Sequence, residues 1–388
     1  MISESIATLL EPQECFDALS LEARRRLGPA LCDLAYPNAY DGVPAFVRDA
    51  IRQSLDEDRE LDLQYTPYGG TTTTRRRIAE TLSGTTGLRF GWRSIIMTPG
   101  AMAALNIVFR DLADAGAGSE VVIVSPCWLD YPLYLVNLGV KPVFAPVDPR
   151  SLRLDLDVLA DAITDATRAV VLSQPANPTG LIYSPEELRA LARLLYARRG
   201  GEILLVSDEC HRDVIHDQNE LATPAAFYER TVIVYSFGKA FFMQGQRTGY
   251  VAVGPAMPGA EQLAHRYEQL CRVMGYCTPT ALMQRAVRRL LGHPLDFQAI
   301  ARRRSWMLEA LSGTAFSLVP SQATFFLYPA TGGRDDLDLT RALALSGVLV
   351  LPARIFHHTG HFRISLTAPD DHVRRAAHHL RALGGCAA

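Results

Sequence analysis

The sequence has no apolar run long enough to span a membrane, and no internal repeat or low-complexity tract. Its seven cysteines, Cys15, Cys32, Cys127, Cys210, Cys271, Cys277 and Cys386, form no CxxC pair and are odd in number. Neither a disulfide framework nor a zinc site is expected from them, and their usage suits a reducing compartment. Cys386 is followed by only two residues, so it is not a prenylation box. Met1–Ala7 lacks a basic region leading into an apolar one, so no signal peptide is expected. An excess of either charge is missing too. A net charge of −2 without a basic stripe argues against nucleic acid or an anionic membrane as a partner. The triplets Arg24–Arg26, Arg75–Arg77 and Arg302–Arg304 stand among helix formers and read as solvated helix faces. The expected location is the cytoplasm.

Apolar residues make up 48% of 388 positions, enough for one large domain with a satellite or for two domains. Short β-branched runs bounded by turn residues mark strands at Ser94–Thr98, Glu120–Val124, Val140–Phe144, Ala169–Leu172, Glu202–Val206, Thr231–Tyr235 and Tyr250–Val253. Helical patterns such as Gly100–Leu112 and Pro185–Arg199 lie between several of them. Near-continuous apolar strands alternating with helices predict a mostly parallel sheet buried on both faces. The expected large α/β domain covers residues 55–285. Residues 1–54 together with 286–388 are expected to form a smaller α+β domain, with strands near Phe325–Tyr328, Val348–Leu351 and Phe362–Leu366.

The segment Tyr235–Tyr250 carries a hydroxyl at Ser236, an amine at Lys239 and a guanidinium at Arg247 around a small-residue turn. Such a set can hold a phosphate while the lysine bonds to a carbonyl, the pairing that pyridoxal 5'-phosphate (PLP) requires. Alone, the segment also fits a solvated lysine beside a solvated arginine. Its companions stand just after other strands, where open α/β sheets bind ligands. Gly100, Ala101 and Met102 open a helix, whose free N–H groups suit phosphate. Trp128 can stack on a flat ring or be a half-buried core residue. Asn177, in Asn177-Pro178, fits an ordinary turn or a donor to a ring oxygen. Asp208 ends a strand, where a carboxylate can pair with a pyridinium nitrogen.

In this order, Asn177–Gly180, Ser207–Glu209, Ser236–Lys239 and Gly245–Tyr250 resemble the motifs of fold-type I PLP enzymes of the class I/II aminotransferase family, over roughly residues 30–370. The resemblance implies that Lys239 bonds to the cofactor and then moves the proton at the substrate Cα. It implies Asp208 at the pyridine nitrogen, Asn177 at the ring 3'-oxygen and Trp128 on the ring face. Gly100, Ala101, Met102, Ser236 and Arg247 would form the phosphate cup. Tyr65 matches a tyrosine that reaches the phosphate of a neighbouring subunit, so a homodimer with shared sites is implied. Arg363 matches the arginine that clamps the substrate α-carboxylate, a role for which a planar fork is suited.

The chain departs from the family at His211, where a tyrosine usually donates to the 3'-oxygen. One reading makes His211 a tolerated donor in an ordinary aminotransferase. The other makes it a titratable group that alters the chemistry. Tyr36 and Tyr40 replace a glycine-rich substrate loop, with Tyr36 expected at the substrate. Arg354, His357, His358 and His361 stand on the approach to Arg363 and read as a solvated loop without metal spacing. No second arginine for a dicarboxylate side chain is apparent. The expected function is transfer of the α-amino group of an L-amino acid to a 2-oxo acid. The alternative is a non-transaminating PLP enzyme of the same fold, a lyase, a γ-replacement or cyclising synthase, or an oxidase.

Overall fold

The computed structural model describes residues 3–57, 63–114, 116, 118–198, 202–276 and 278–385. Cys277 and Cys386 lie outside the described residues. In chain order the strands are β1 (Cys32–Asp33), β2 (Ile95–Thr98), β3 (Glu120–Ser125), β4 (Lys141–Pro146), β5 (Thr167–Ser173), β6 (Leu204–Asp208), β7 (Thr231–Ser236), β8 (Gly249–Val253), β9 (Phe326–Leu327), β10 (Val348–Leu349), β11 (Leu351–Pro352) and β12 (Phe362–Ser365).

The large sheet has the order β2-β8-β7-β6-β5-β3-β4. Every neighbouring pair is parallel except the two made by β8. The apolar runs are explained by burial on both faces: β2, β3, β7 and β8 have no exposed residue. Val122, Val170 and Leu205 pack into one apolar layer, and Ile123, Val171 and Val206 into the opposite one. Helices cover both layers. The helix Pro185–Ala197 starts as its sequence dictates. Ser184 accepts from the Glu187 N–H, the Glu187 carboxylate accepts from the Ser184 N–H, and Pro185 takes the first position.

The parallel strands bring Ser125, Ser173, Asp208 and Ser236 to one edge as their last residues. Because β8 runs the other way, its first residue lies at that edge, with Gly249 opposite both Thr98 and Ser236. Gly249 admits no side chain: a Cβ there would lie 2.3 Å from the Tyr235 carbonyl oxygen and 2.9 Å from the Gly100 Cα. The residues just before β8 therefore reach the same edge as the turn after β2.

A second sheet, β11-β12-β9, is antiparallel, and β1 pairs in parallel with β10. Phe326, Leu327, Val348, Phe362 and Ile364 share a layer with the helices Gln298–Leu311 and Asp370–Gly384. The helix Ala45–Leu55 packs with Ala281–Leu290 against β2, β7 and β8 through Val47, Ala50, Ala286 and Val287. The arginine triplets are not solvated throughout. Arg75 pairs with Glu268, Arg303 with Asp41 and Asp370, and Arg304 with Asp217, all three from buried positions. Three successive helical residues point about 100° apart, so one or two of them turn inward and then need partners.

Candidate active site

The carboxyl edge of the large sheet borders a cavity of about 480 Å³, a size that suits a small-molecule ligand. Lys239, Asp208, His211, Asn177, Ser236, Arg247, Trp128, Ala101, Met102, Arg363 and Tyr36 all line it. Gly100 lies just behind the wall. It has φ +80°, and a Cβ there would stand 2.7 Å from an Arg247 guanidinium nitrogen, so only glycine leaves this cradle open. Tyr65 does not line the cavity of its own chain; it is fully exposed on the loop before the helix Thr72–Thr86.

Lys239 sits on the short helix Phe237–Ala240, whose start is capped by Ser236 Oγ accepting from the Gly238 N–H at 3.3 Å. Gly238 is required there, since a Cβ would come 2.8 Å from the Gln244 Cα. Burial lowers the Lys239 pKa to about 8, with Arg363 and Arg247 adding to the effect and Cys210 and Asp208 opposing it. A substantial neutral fraction near pH 8 is what a nucleophilic amine needs.

Asp208 is buried, and both of its carboxylate oxygens are held. The Tyr131 hydroxyl donates to Oδ2 at 2.5 Å and the Cys210 N–H to Oδ1 at 3.0 Å. Tyr131 is itself almost fully buried and lies edge-on to Trp128, with ring centroids 5.5 Å apart.

The His211 ring stands between Phe325 and Phe326, at 5.4 and 5.3 Å between centroids. Burial pushes its pKa well below the usual histidine range, and the positive charges of Lys239 and Arg363 act in the same direction. The ring is therefore neutral at physiological pH and carries one N–H. Its Nδ1 is buried with no hydrogen-bond partner.

Arg363, on β12, lies under two aromatic faces, 4.0 Å from the Phe326 centroid and 4.7 Å from that of Phe356. Its guanidinium donates to Asn177 Oδ1 at 3.2 Å and to the Ala35 carbonyl at 3.0 Å, while Nε is buried and unpartnered. Burial lowers its pKa to about 9, so it still carries its charge at neutral pH. A buried cation without a carboxylate partner among the described residues favours an anionic ligand.

The N-terminal segment closes the remaining wall. Gln13 Nε2 donates to the Tyr36 hydroxyl at 2.5 Å, and Gln244 Nε2 donates to the Pro37 carbonyl at 3.1 Å. The histidines beyond β11 are not a solvated loop. His357 stacks on Phe144 at 4.6 Å, His361 stacks on Tyr328 at 4.9 Å, and Arg354 is held by Asp335 and Asp336. None of them lines the cavity.

The sequence reading missed Tyr131, Gln13, Asp130, Cys210, Gln244 and Phe326, all at or against this cavity. Tyr131 alone offered a signal, an aromatic hydroxyl three residues after Trp128 at the start of a helix.

Sheet and cavity together define an α/β enzyme in which a buried arginine, a lysine and an aspartate meet at the carboxyl edge of the strands. Residues 33–380 match the family described as aminotransferase class I and II, and the chain belongs to that family. It is 30% identical over 373 residues to a probable aspartate/prephenate aminotransferase of Thermus aquaticus, covering 93% of each chain. Among solved structures, an aminotransferase from Eubacterium rectale superposes with a TM-score of 0.91 at 25% identity, covering 99% of this chain and 98% of the other. A single mutant of Thermus thermophilus aspartate aminotransferase gives 0.85 at 27% identity, with coverage of 95% and 96%. The expected fold, a mostly parallel sheet flanked by helices with a smaller α+β part, is the one found. The expected transferase class holds as well, and none of these relatives is named as a lyase, a synthase or an oxidase.

Proposed function

We propose that this protein is a PLP-dependent aminotransferase that moves the α-amino group of an L-amino acid to a 2-oxo acid. The observation that carries the reading is one cavity holding an amine with its pKa lowered to about 8, a fixed carboxylate and a buried guanidinium without a carboxylate partner among the described residues. The residues suit PLP. Gly100 leaves a cradle beside Arg247 that a Cβ would fill, and His211 Nδ1 is a buried polar atom in need of a partner.

In this reading Ser236, Arg247, Gly100, Ala101 and Met102 hold the cofactor phosphate and Trp128 covers the ring. Asp208 would pair with the ring nitrogen, its carboxylate oxygens held in place by Tyr131 and the Cys210 N–H. His211 and Asn177 serve the ring oxygen. When bound, PLP supplies an aldehyde for amines and a ring that withdraws electrons from the substrate Cα. Arg363 grips the substrate α-carboxylate bidentately, Tyr36 walls its side chain, and both limit which Cα proton faces Lys239. Lys239 would be the group that takes and returns the proton at the substrate Cα.

We also propose a homodimer with shared sites, supported by the exposed aromatic residues Tyr65, Tyr68 and Tyr276. The division into a large domain of 55–285 and a small one of 1–54 with 286–388 remains part of the proposal, with the paired helices Ala45–Leu55 and Ala281–Leu290 at the joint. No helix among the described residues is long and apolar enough to cross a membrane, which agrees with a cytoplasmic enzyme.

Visible absorption of the purified protein tests the cofactor. Lys239→Ala should abolish the yellow colour of the bound form, and an unchanged spectrum would sink the PLP assignment. Mixed with amino acids and no oxo acid, the enzyme should release one 2-oxo acid per site and stop. Continuous release of ammonia or of a rebuilt carbon skeleton would reject amino transfer.

A further inference from the structure

We infer that the side-chain part of this cavity rejects a second carboxylate and selects an amino acid whose side chain donates hydrogen bonds, a cationic one above all, with Asp130 as its counter-charge. The inference rests on the aminotransferase reading and names its substrate class.

The cations that line the cavity, among the described residues, are Lys239, Arg247 and Arg363. Lys239 is committed to the cofactor bond, Arg247 to the phosphate and Arg363 to the α-carboxylate. None is left over for a side-chain anion. Acceptors, by contrast, are in surplus.

Asp130 lines the cavity two residues after Trp128. The one hydrogen bond found for its carboxylate among the described residues comes from the Tyr134 hydroxyl at 3.5 Å, the long limit for such a bond. Burial pushes its carboxyl pKa up, the mark of a charge short of compensation, which a bound cation would relieve.

Gln13 adds an independent observation. It enters the cavity wall from the helix Glu4–Leu27 and gives its amide N–H groups to Tyr36 and Asp17, at 2.5 and 2.9 Å. Its Oε1 is buried with no partner. A carboxylate carries no proton to donate to this oxygen and is repelled by Asp130. An ammonium or guanidinium side chain can satisfy both.

The test uses the PLP-loaded full-length enzyme. L-Lysine and L-aspartate are titrated against the cofactor absorption band for binding, and 2-oxo acid formation is followed separately for transfer. Lysine should bind at least tenfold more tightly than aspartate. Asp130→Asn keeps the size and an acceptor for Tyr134 but removes the charge, and it should lower the lysine-to-aspartate affinity ratio at least tenfold. Equal binding, or tighter binding of aspartate, overturns the inference in the wild type; a cation supplied by a second copy would produce that result. A ratio left within twofold by Asp130→Asn overturns it too. Lysine-selective binding without any amine transferred would uphold the selectivity and refute the aminotransferase reading. Rapid transfer from aspartate would do the reverse.

Discussion

Replacing Lys239 with methionine should make the cofactor-free protein more stable. The chain keeps a side chain of similar length but loses the cost of a charge in the cavity wall. In the unfolded chain the amine titrates at its ordinary 10.5, and in the folded protein near 8. Below pH 8 both states are protonated, so the folded state bears the full cost. Between pH 8 and 10.5 the folded amine has lost its proton while the unfolded one keeps it, so wild-type stability rises with pH. Above 10.5 both amines are neutral and the cost is gone. The interval of 2.5 pH units, at about 1.4 kcal/mol each, sets an upper bound of about 3.5 kcal/mol. Lys239 is only partly buried by surface area, and water in the open cavity screens its charge, so about 1–3 kcal/mol is the working figure. For 388 residues the unfolding entropy is about 0.8 kcal/mol per degree, and the expected gain in Tm at pH 7 is about 1–4 °C. Scanning calorimetry of both proteins, stripped of cofactor, in matched buffers from pH 7 to 10.5 measures it. A variant less stable than wild type at pH 7, or a gap that does not close as the pH rises to 10.5, would refute the reasoning.

Tyr131→Phe removes one of the two donors to Asp208, and hydrogen bonds to charged groups are worth about 1.5–3 kcal/mol. Cofactor affinity, measured by absorbance titration, should fall about ten- to hundredfold, and an unchanged affinity would remove Tyr131 from the site. Arg363→Lys keeps the charge but loses the planar fork that stacks on Phe326 and Phe356. The loss of one charge-assisted hydrogen bond, about 2 kcal/mol, should lower kcat/KM for amino acids roughly thirtyfold while the absorption spectrum of the resting enzyme stays as it was.

Much of this site was legible because its chemistry sits in short local motifs at strand ends. Asn177, Asp208, Ser236 and Lys239 each follow an apolar run that burial on both faces demands, and the structure brings all four to one cavity. The direction of β8 was not legible. Tyr250–Val253 reads as apolar as its parallel neighbours, and only its pairing with β2 and β7 shows that it runs the other way. Arg75, Arg303 and Arg304 looked like surface charges because their partners Glu268, Asp41, Asp370 and Asp217 are distant in sequence. Tyr131 failed for the same reason, since its acceptor lies 77 positions further on. Burial of a polar group is a property of two segments, and a pattern read within one segment cannot contain it.

His211 is where the sequence left two readings, a tolerated donor or a proton carrier. Its surroundings separate them. To accept a proton the ring would place a positive charge between Phe325 and Phe326, in a wall already holding Lys239 and Arg363. The carboxylate of Asp208 is already held by the Tyr131 hydroxyl and the Cys210 N–H. The neutral ring, in contrast, has an unpaired Nδ1 that needs only a hydrogen-bond partner. We therefore propose that His211 is a neutral donor to a ligand oxygen, one that should not change the class of reaction. His211→Tyr is expected to keep amino transfer, with products unchanged by mass, and to move the pH at which the cofactor absorption band titrates. A lone histidine titration near pH 6 in the kcat profile of the wild type, lost in His211→Tyr together with a change of product, would restore the proton-carrier reading.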